Sequence, residues 1–195
     1  VRFIGAHTNM NAPADRVPAV AAGLAALGAE CIVTSGGGLS PEGKFEPAAA
    51  VAKAKKLEGL AKIYKAERMG FTYHGYNPEF ANAIAEMEAL AQHTDPALVS
   101  FLMDAGHGYL GGGDPAAFLA RHPKRVYGIH LKTFRGKDVK GQVPLGQGDF
   151  GFEALAAAVK KTGWSGWLIT EEGGGPRGGN TAALGPDRDY IRKIF

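Results

Sequence analysis

Three residues that can bind a metal ion follow short apolar runs, and about one strand–helix unit separates each from the next. They are Asp104, His130 and Glu171. Neighbouring parallel strands of a barrel direct residues at their carboxyl ends toward a common axis. Two carboxylates and one imidazole form a hard-to-borderline ligand set, which suits Mn²⁺, Mg²⁺, Co²⁺ or Zn²⁺. The pattern therefore predicts a divalent metal site.

Short β-rich runs alternate with longer alanine-rich helical stretches, which is the pattern of parallel strands joined by helical crossovers. Strands are predicted over residues 1–7, 31–34, 70–73, 98–103, 125–129 and 167–170. Helices are predicted over about 15–27, 46–68, 78–92 and 152–162, with a short one opened by Asp114-Pro115. The ionisable residues gather just past the carboxyl ends of these strands, where parallel-sheet folds place ligands.

The number of strand–helix units indicates the fold class. Six units are predicted here, and a closed (β/α)8 barrel has eight. We expect an α/β fold, a single (β/α)8 TIM barrel domain over 1–195 that lacks its first two units, on the order of 60–80 residues. The first and last strands should then be unpaired edges, and Phe3 and Ile169 should lack packing partners. An open doubly wound sheet is the alternative, but no Gly-x-Gly-x-x-Gly segment follows the first strand.

Composition excludes several classes of protein. The 195 residues are 45% hydrophobic and 21% charged, which is ordinary for a globular domain. The net charge of +3 comes without a dense basic stripe, so a small-molecule ligand is expected rather than nucleic acid. No apolar run reaches the roughly 20 residues of a membrane span, and no signal peptide is visible. The expected location is the cytoplasm, with a homo-oligomer possible.

Several segments resemble the successive motifs of one family. They are Asp-Ala-Gly-His at 104–107, His-Leu-Lys at 130–132, Leu-Gly-Gln-Gly-Asp-Phe at 145–150 and Gly-Trp-Leu-Ile-Thr-Glu at 166–171. Tyr-His-Gly-Tyr-Asn-Pro-Glu-Phe at 73–80 is similar to that family's Tyr-His-Asn-His-x-x-Glu-Phe. The family is the sugar phosphate isomerase/epimerase branch of the xylose isomerase-like superfamily, which includes inosose dehydratases. The resemblance is strong over about residues 70–172.

The resemblance implies a metal site with a substrate pocket around it. Asp104, His130 and Glu171 are expected as metal ligands, with Glu171 also the catalytic base. Sugar epimerases supply a Glu as the fourth ligand, and this chain has His74 there, which can ligate the metal or contact the substrate.

Three further residues are expected to act on the substrate. His107 follows Asp104 in the loop that should cover the site, and it is expected in substrate binding and catalysis. Lys132 shares strand parity with His130 and is expected to bind a substrate hydroxyl, carboxylate or phosphate and to take part in catalysis. His7, at the end of the first strand, is a candidate substrate contact.

The function implied is that of a metal-dependent isomerase or epimerase of a sugar, sugar phosphate or related polyhydroxy ketone, acting through an ene-diolate. An inosose-type dehydratase, a lyase, is the alternative, and the replacement of the family's Glu by His74 favours it. An apurinic endonuclease would need an Asp-x-His ligand pair after the fifth strand, and residues 135–142 contain no histidine. A non-catalytic barrel remains a further alternative.

Overall fold

The protein is built on a curled sheet of parallel strands with helices on its outer face. The structure is a computed structural model that describes residues 2–11, 13–37, 39, 44–172 and 181–195. The sheet contains β1 to β5 and β8, which cover Gly5–Asn9, Cys31–Ser35, Gly70–His74, Ser100–Asp104, Val126–Leu131 and Trp167–Thr170. Their spatial order is β1-β2-β3-β4-β5-β8, and every pair is parallel.

This topology is that of the predicted TIM barrel. The strand order runs in one direction without reversing, whereas a doubly wound sheet reverses at a switch point, so the open-sheet alternative was wrong. Within the described residues, β1 and β8 are the edges and do not pair with each other. Phe3 is 38% exposed, as expected for an edge. Ile169 packs against a buried cluster inside the curl, so the expectation that it lacks partners was wrong.

The helices follow the predicted alternation, with additions. Helices α1 to α7 cover Val17–Ala26, Pro47–Ala66, Asn77–His93, Ala105–Gly111, Pro115–Arg121, Glu153–Thr162 and Leu184–Ile194. The sequence did not predict α4, α7 or the small antiparallel pair formed by β6 (Thr133–Phe134) and β7 (Gln142–Val143). The first strand begins at Gly5 rather than at residue 1, because pairing with β2 starts at Gly5 opposite Cys31. None of the described helices combines the length and apolar character of a membrane span.

The alternation of side chains along each strand separates two apolar regions. Residues such as Phe71, Phe101 and Ile129 belong to the main core, together with residues of the outer helices. A smaller cluster of Cys31, Val33 and Leu102 is packed against Tyr127 and Ile169. Because the side-chain period of a strand is two, residues two positions beyond the inner cluster continue along the same face and reach the carboxyl-end mouth.

Candidate metal centre

The candidate site lies at the carboxyl ends of four neighbouring strands, β3, β4, β5 and β8. His74 and Asp104 are the last residues of β3 and β4, and His130 lies one residue before the end of β5. Asp104 pairs directly with His130, while Glu171 follows the last residue of β8. Parallel pairing thus brings residues that are distant in the chain to one edge of the sheet.

The donor atoms of these four side chains form one compact group. One ligand atom from each of His74, Asp104, His130 and Glu171 lies within 4.8 Å of all the others. Nδ1 of His74 and Nδ1 of His130 are buried and make no hydrogen bond to the described residues, although Nδ1 of His130 lies 2.8 Å from Oε2 of Glu171. Buried imidazole nitrogens without a donor or acceptor partner, next to carboxylates, fit a shared cation.

Asp104 is the centre of this group and is fully buried. Its Oδ1 accepts a hydrogen bond of 2.8 Å from the backbone N–H of His107, which caps α4. Its Oδ2 lies 2.9 Å from Nζ of Lys132 and accepts a 3.2 Å hydrogen bond from Nε2 of His74. Burial raises the pKa of Asp104, but His130, His74 and Lys132 outweigh that effect and hold it well below its usual value. The carboxylate is therefore ionised.

Glu171 is the carboxylate of the group that solvent can reach, since its side chain is 43% exposed. Burial raises its pKa, but the close approach of His130 and the charge of Lys132 lower it to about 2. Nζ of Lys132 lies 3.0 Å from Oε1 of Glu171. Burial lowers the pKa of Lys132, while the charges of Asp104 and Glu171 raise it above its usual value. A positive charge therefore lies between the two carboxylates.

His107 and His7 lie beside the four-residue group. Nδ1 of His107 donates to the side-chain oxygen of Asn77. Burial lowers the pKa of His107 to about 4, so the ring is neutral at pH 7 with Nε2 as an acceptor, 3.9 Å from Asp104 Oδ2. The His7 ring is centred 5.4 Å from that of His74, and loss of hydration together with the nearby His74 lowers the pKa of His7 to about 4. The structure thus brings together all seven residues that the sequence predicted.

Sequence reasoning missed one residue of this region, Tyr76. Its ring is edge-on to His74 at 4.8 Å between centroids and to His107 at 4.9 Å, and it is 37% exposed. Its place in the segment 73–80 was the signal that could have identified it. Glu79 of the same segment lies in the first turn of α3 and is fully buried against Lys53.

Known proteins resemble this chain in sequence over much of its length. The family model described as xylose isomerase-like TIM barrel matches residues 20–194. An inosose dehydratase of Clostridium tetani is 31% identical over 134 residues, which is 60% of this chain and 45% of that protein. An inosose dehydratase of Lacticaseibacillus casei is 28% identical over 176 residues, which is 76% of this chain and 59% of that protein. The chain thus spans about half the length of such relatives.

Solved structures share the fold at lower identity. A sugar phosphate isomerase/epimerase of Parabacteroides distasonis has a TM-score of 0.77 at 22% identity, over 99% of this chain and 77% of that one. The IOLI protein, solved with a bound zinc atom, has a TM-score of 0.80 at 15% identity, over 100% of this chain and 78% of that one.

Proposed function

Because the chain belongs to the xylose isomerase-like TIM barrel family, we propose that it uses a divalent metal to remove the proton beside the carbonyl group of a polyhydroxy ketone. We propose further that the reaction is a dehydration of the inosose type. The observation that carries this proposal is the convergence of four donor side chains from four strands within 4.8 Å. The substrate class is suggested by relatives named inosose dehydratase.

In this proposal Asp104, His130, Glu171 and His74 would hold the ion, which would be Mn²⁺, Mg²⁺, Co²⁺ or Zn²⁺. A divalent ion supplies positive charge that polarises a carbonyl group and stabilises the oxygen anion left by proton loss. The mixed carboxylate and imidazole set accepts each of these metals.

Glu171 acts as the base. It is ionised at neutral pH because its pKa is about 2, and it is accessible, whereas Asp104 is fully buried with both oxygens engaged. The ion pair between Glu171 and Lys132 weakens when the ammonium group turns to a substrate oxygen, and this raises the basicity of Glu171.

Lys132 and His107 bind the substrate and take part in catalysis. The ammonium of Lys132 donates a proton to the hydroxyl that leaves. Nε2 of the neutral His107 accepts a hydrogen bond from another hydroxyl, held in that orientation by the bond from Nδ1 to Asn77. His7, at the rim, contacts hydroxyls farther from the carbonyl.

Dehydration is favoured over epimerisation because, among the described carboxylates of the four-residue group, Glu171 is open to the substrate and Asp104 is fully buried. Epimerisation with two bases places a carboxylate on each face of the reacting carbon, and this chain has His74 where sugar epimerases supply a Glu. Isomerase or epimerase activity is the second candidate, supported by the related fold of a sugar phosphate isomerase/epimerase.

The test is to incubate the purified protein and each metal in turn with an inosose in heavy water. Dehydration gives a product one water lighter by mass spectrometry. A product that carries deuterium and has a changed carbonyl position or configuration, without loss of water, indicates isomerisation or epimerisation. Deuterium in the recovered, otherwise unchanged substrate shows reversible removal of the proton only. Absence of both products and of deuterium exchange with all four metals would contradict the proposal.

Glu171→Gln tests the role of the base. We expect turnover to fall by roughly 10²–10⁴-fold, which is the usual contribution of general acid–base catalysis. Much of the metal affinity should remain, because the amide oxygen can still coordinate. Glu172→Gln is the matched control, since this neighbouring carboxyl group interacts with Asp187 instead. If Glu171→Gln exchanges the substrate proton at a near wild-type rate, Glu171 is a ligand only, and His74 or His107 becomes the better candidate.

A further inference from the structure

A buried group of charged side chains lies behind the candidate metal centre, on the side of the sheet that faces the helices. Nζ of Lys53, on α2, lies 2.6 Å from Oε1 of Glu86 and 3.2 Å from Oε1 of Glu79, both on α3. All three side chains are at most 4% exposed. The ammonium also lies over the ring of Tyr73, 4.6 Å from its centroid. None of these four residues has a role in the reaction proposed above.

The energetics of such a group make it a poor source of stability. Desolvation of buried charges offsets most of their mutual attraction, and apolar side chains of similar volume often stabilise a fold as well or better. Buried charged groups instead fix the positions of their neighbours, because each oxygen and each N–H requires a hydrogen-bond partner at a defined distance and angle. The partners of this group therefore indicate what it holds in place.

Those partners are backbone atoms of two loops at the mouth of the sheet. Lys53 donates to the carbonyl oxygen of Gly37 at 2.8 Å, and Oε2 of Glu86 accepts from the backbone N–H of Leu39 at 3.0 Å. Oε2 of Glu79 accepts from the backbone N–H of Tyr76 at 3.1 Å. One buried group thus joins the loop after β2 to the loop after β3.

Glu79 connects the buried group to Tyr76, which lies beside the candidate metal centre. Its Oε1 accepts hydrogen bonds from Lys53 and from the hydroxyl of Tyr73, the latter at 2.6 Å, while its Oε2 holds the backbone of Tyr76. With its backbone held, the Tyr76 ring stands edge-on to His74 and His107, and the residue is partly exposed to solvent. A partly exposed aromatic ring beside the reacting groups is suited to cover the C–H face of a cyclic polyol.

We propose that Lys53 is a positioning residue which, through Glu79, holds Tyr76 as a substrate-contacting wall of the candidate metal centre. Substrate contact by Tyr76 rests on the function proposed above. The positioning of Tyr76 by Lys53 does not, so the two can be tested apart.

The positioning is tested by fluorine NMR of protein labelled with 3-fluorotyrosine. The chain has six tyrosines, and Tyr76→Phe assigns the signal of Tyr76. Lys53→Met combined with Glu86→Gln removes one positive and one negative charge, so the buried net charge is unchanged. We expect the Tyr76 signal to shift and to be relaxed more strongly by a dissolved paramagnetic agent, with no substrate or metal present.

The matched control is Arg121→Met combined with Glu88→Gln, which removes an ion pair between α5 and α3. This pair makes none of the loop contacts described above, so the Tyr76 signal should not move. If the Lys53 double variant does not fold, Tyr73→Phe is the second variant, because it removes only the hydroxyl group that donates a hydrogen bond to Glu79. It should shift the Tyr76 signal in the same direction, but by a smaller amount. An unchanged Tyr76 signal in whichever variant folds overturns the positioning role.

Substrate contact is tested by a double-mutant cycle. Tyr76→Ala should raise KM about tenfold with a smaller change in kcat, the size of effect expected for one lost contact. The Lys53 double variant should raise KM similarly, and combining it with Tyr76→Ala should add little, because both act on the same contact. If the effects of Tyr76→Ala and of the Lys53 double variant on KM were additive, the proposal that Lys53 acts through Tyr76 would be overturned. If the protein turns over no polyhydroxy ketone, the proposed function fails while the NMR result stands by itself.

Discussion

Asp104 shows how a single residue can serve both the fold and the site. One carboxylate oxygen caps α4 through the N–H of His107, and the other faces Lys132, His74 and His130. Asn is as good an N-cap residue as Asp, because its side-chain oxygen accepts the same hydrogen bond. The cap and the charge can therefore be separated by substitution.

Asp104→Asn should keep the fold and lose the metal. We expect the dissociation constant for Mn²⁺ or Zn²⁺, measured by titration calorimetry, to rise by at least about 100-fold, because the central anionic ligand is gone. Circular dichroism should show an unchanged helix content. Asp114→Asn is the control, since Asp114 caps α5 through the N–H of Ala117 at 3.0 Å and is exposed. Equal metal affinity in the two variants would count against a ligand role for Asp104.

Glu88 provides a pH-dependent contribution to stability away from the site. It accepts hydrogen bonds from Arg121 at 2.6 Å and His122 at 2.7 Å. Burial raises the pKa of Glu88, but these two partners outweigh burial and lower it below its usual value. A lowered carboxyl pKa stabilises the folded state above the unfolded value of about 4.3, and this stability is lost as the pH falls through the folded pKa.

Glu88→Gln should therefore lower the free energy of unfolding at pH 7 by up to about 1 kcal/mol, the usual range for a partly exposed pair. The difference from wild type should disappear at an acid pH below the lowered folded-state pKa of Glu88, where the carboxyl group is protonated in both states. Urea unfolding at the two pH values measures it, with Glu67→Gln at an exposed position of the chain as control. A difference that grows toward low pH would contradict this assignment.

At the scale of elements, helix α3 is interrupted by residues with non-helical backbone angles, and the sequence does not predict this interruption. Asn82, Ala83 and Ile84 have φ values of 51°, 55° and 66°, in the left-handed region, although none of them is a glycine. This conformation costs an L-residue about 1–2 kcal/mol relative to the right-handed helix. The turn lies a short distance after Glu79, on the helix that carries the buried acidic residues.

Ala83→Gly should stabilise the protein by about 1 kcal/mol, because glycine adopts positive φ without a steric penalty. The side chain of Ala83 is exposed, so little packing is lost. Ala52→Gly, at an exposed position within the regular helix α2, should have the opposite sign and cost about 1 kcal/mol. Thermal unfolding of both variants measures the two changes in stability. Destabilisation by Ala83→Gly as well as by Ala52→Gly would show that the left-handed turn stores no strain.

Helix α4 illustrates why an element can escape sequence prediction. Its sequence, Ala-Gly-His-Gly-Tyr-Leu-Gly, has low helix propensity. The glycine at 106 is required by packing, since a Cβ there would lie 2.5 Å from Cγ of Lys132. The helix forms because Asp104 caps it locally and because it packs against α3 and β5, and only this packing depends on tertiary structure.

At the scale of the whole molecule, the candidate centre joins strands from distant parts of the chain. Its four donors come from β3, β4, β5 and the end of β8. An ion bound there holds these ends together in the folded state, and the unfolded chain has no such preformed site. Metal binding should therefore stabilise the whole fold.

We expect the unfolding free energy to rise by about 2.7 kcal/mol when the free metal concentration is 100 times the dissociation constant. Thermal unfolding with Mn²⁺ or Zn²⁺, and again after excess chelator, measures this shift and its reversal. The Asp104→Asn variant should show little of it. A metal-induced shift of the same size in that variant would mean that the ion binds elsewhere.

The sequence by itself predicted the alternation of strands and helices, the fold class and the candidate site residues. The alternation and the strand-end positions of Asp104, His130 and Glu171 follow from local features, namely apolar runs bounded by glycine and polar residues with ionisable side chains just past them. The expected roles of His74 and His107 follow from the resemblance to the sugar phosphate isomerase/epimerase branch. The predicted 31–34, 70–73 and 167–170 agree with β2, β3 and β8 to within one residue.

Tertiary structure decided what depends on contacts between distant residues. No pattern in the sequence singles out Lys53 or Glu86, and they are buried because α2 packs on α3. Tyr76 stands beside His107 because a loop of one unit meets a helix of the next. Periodicity describes which face of an element is apolar, but it carries no information on which polar residues of separate elements meet. Those pairings arise only when the strands align in register and the helices pack.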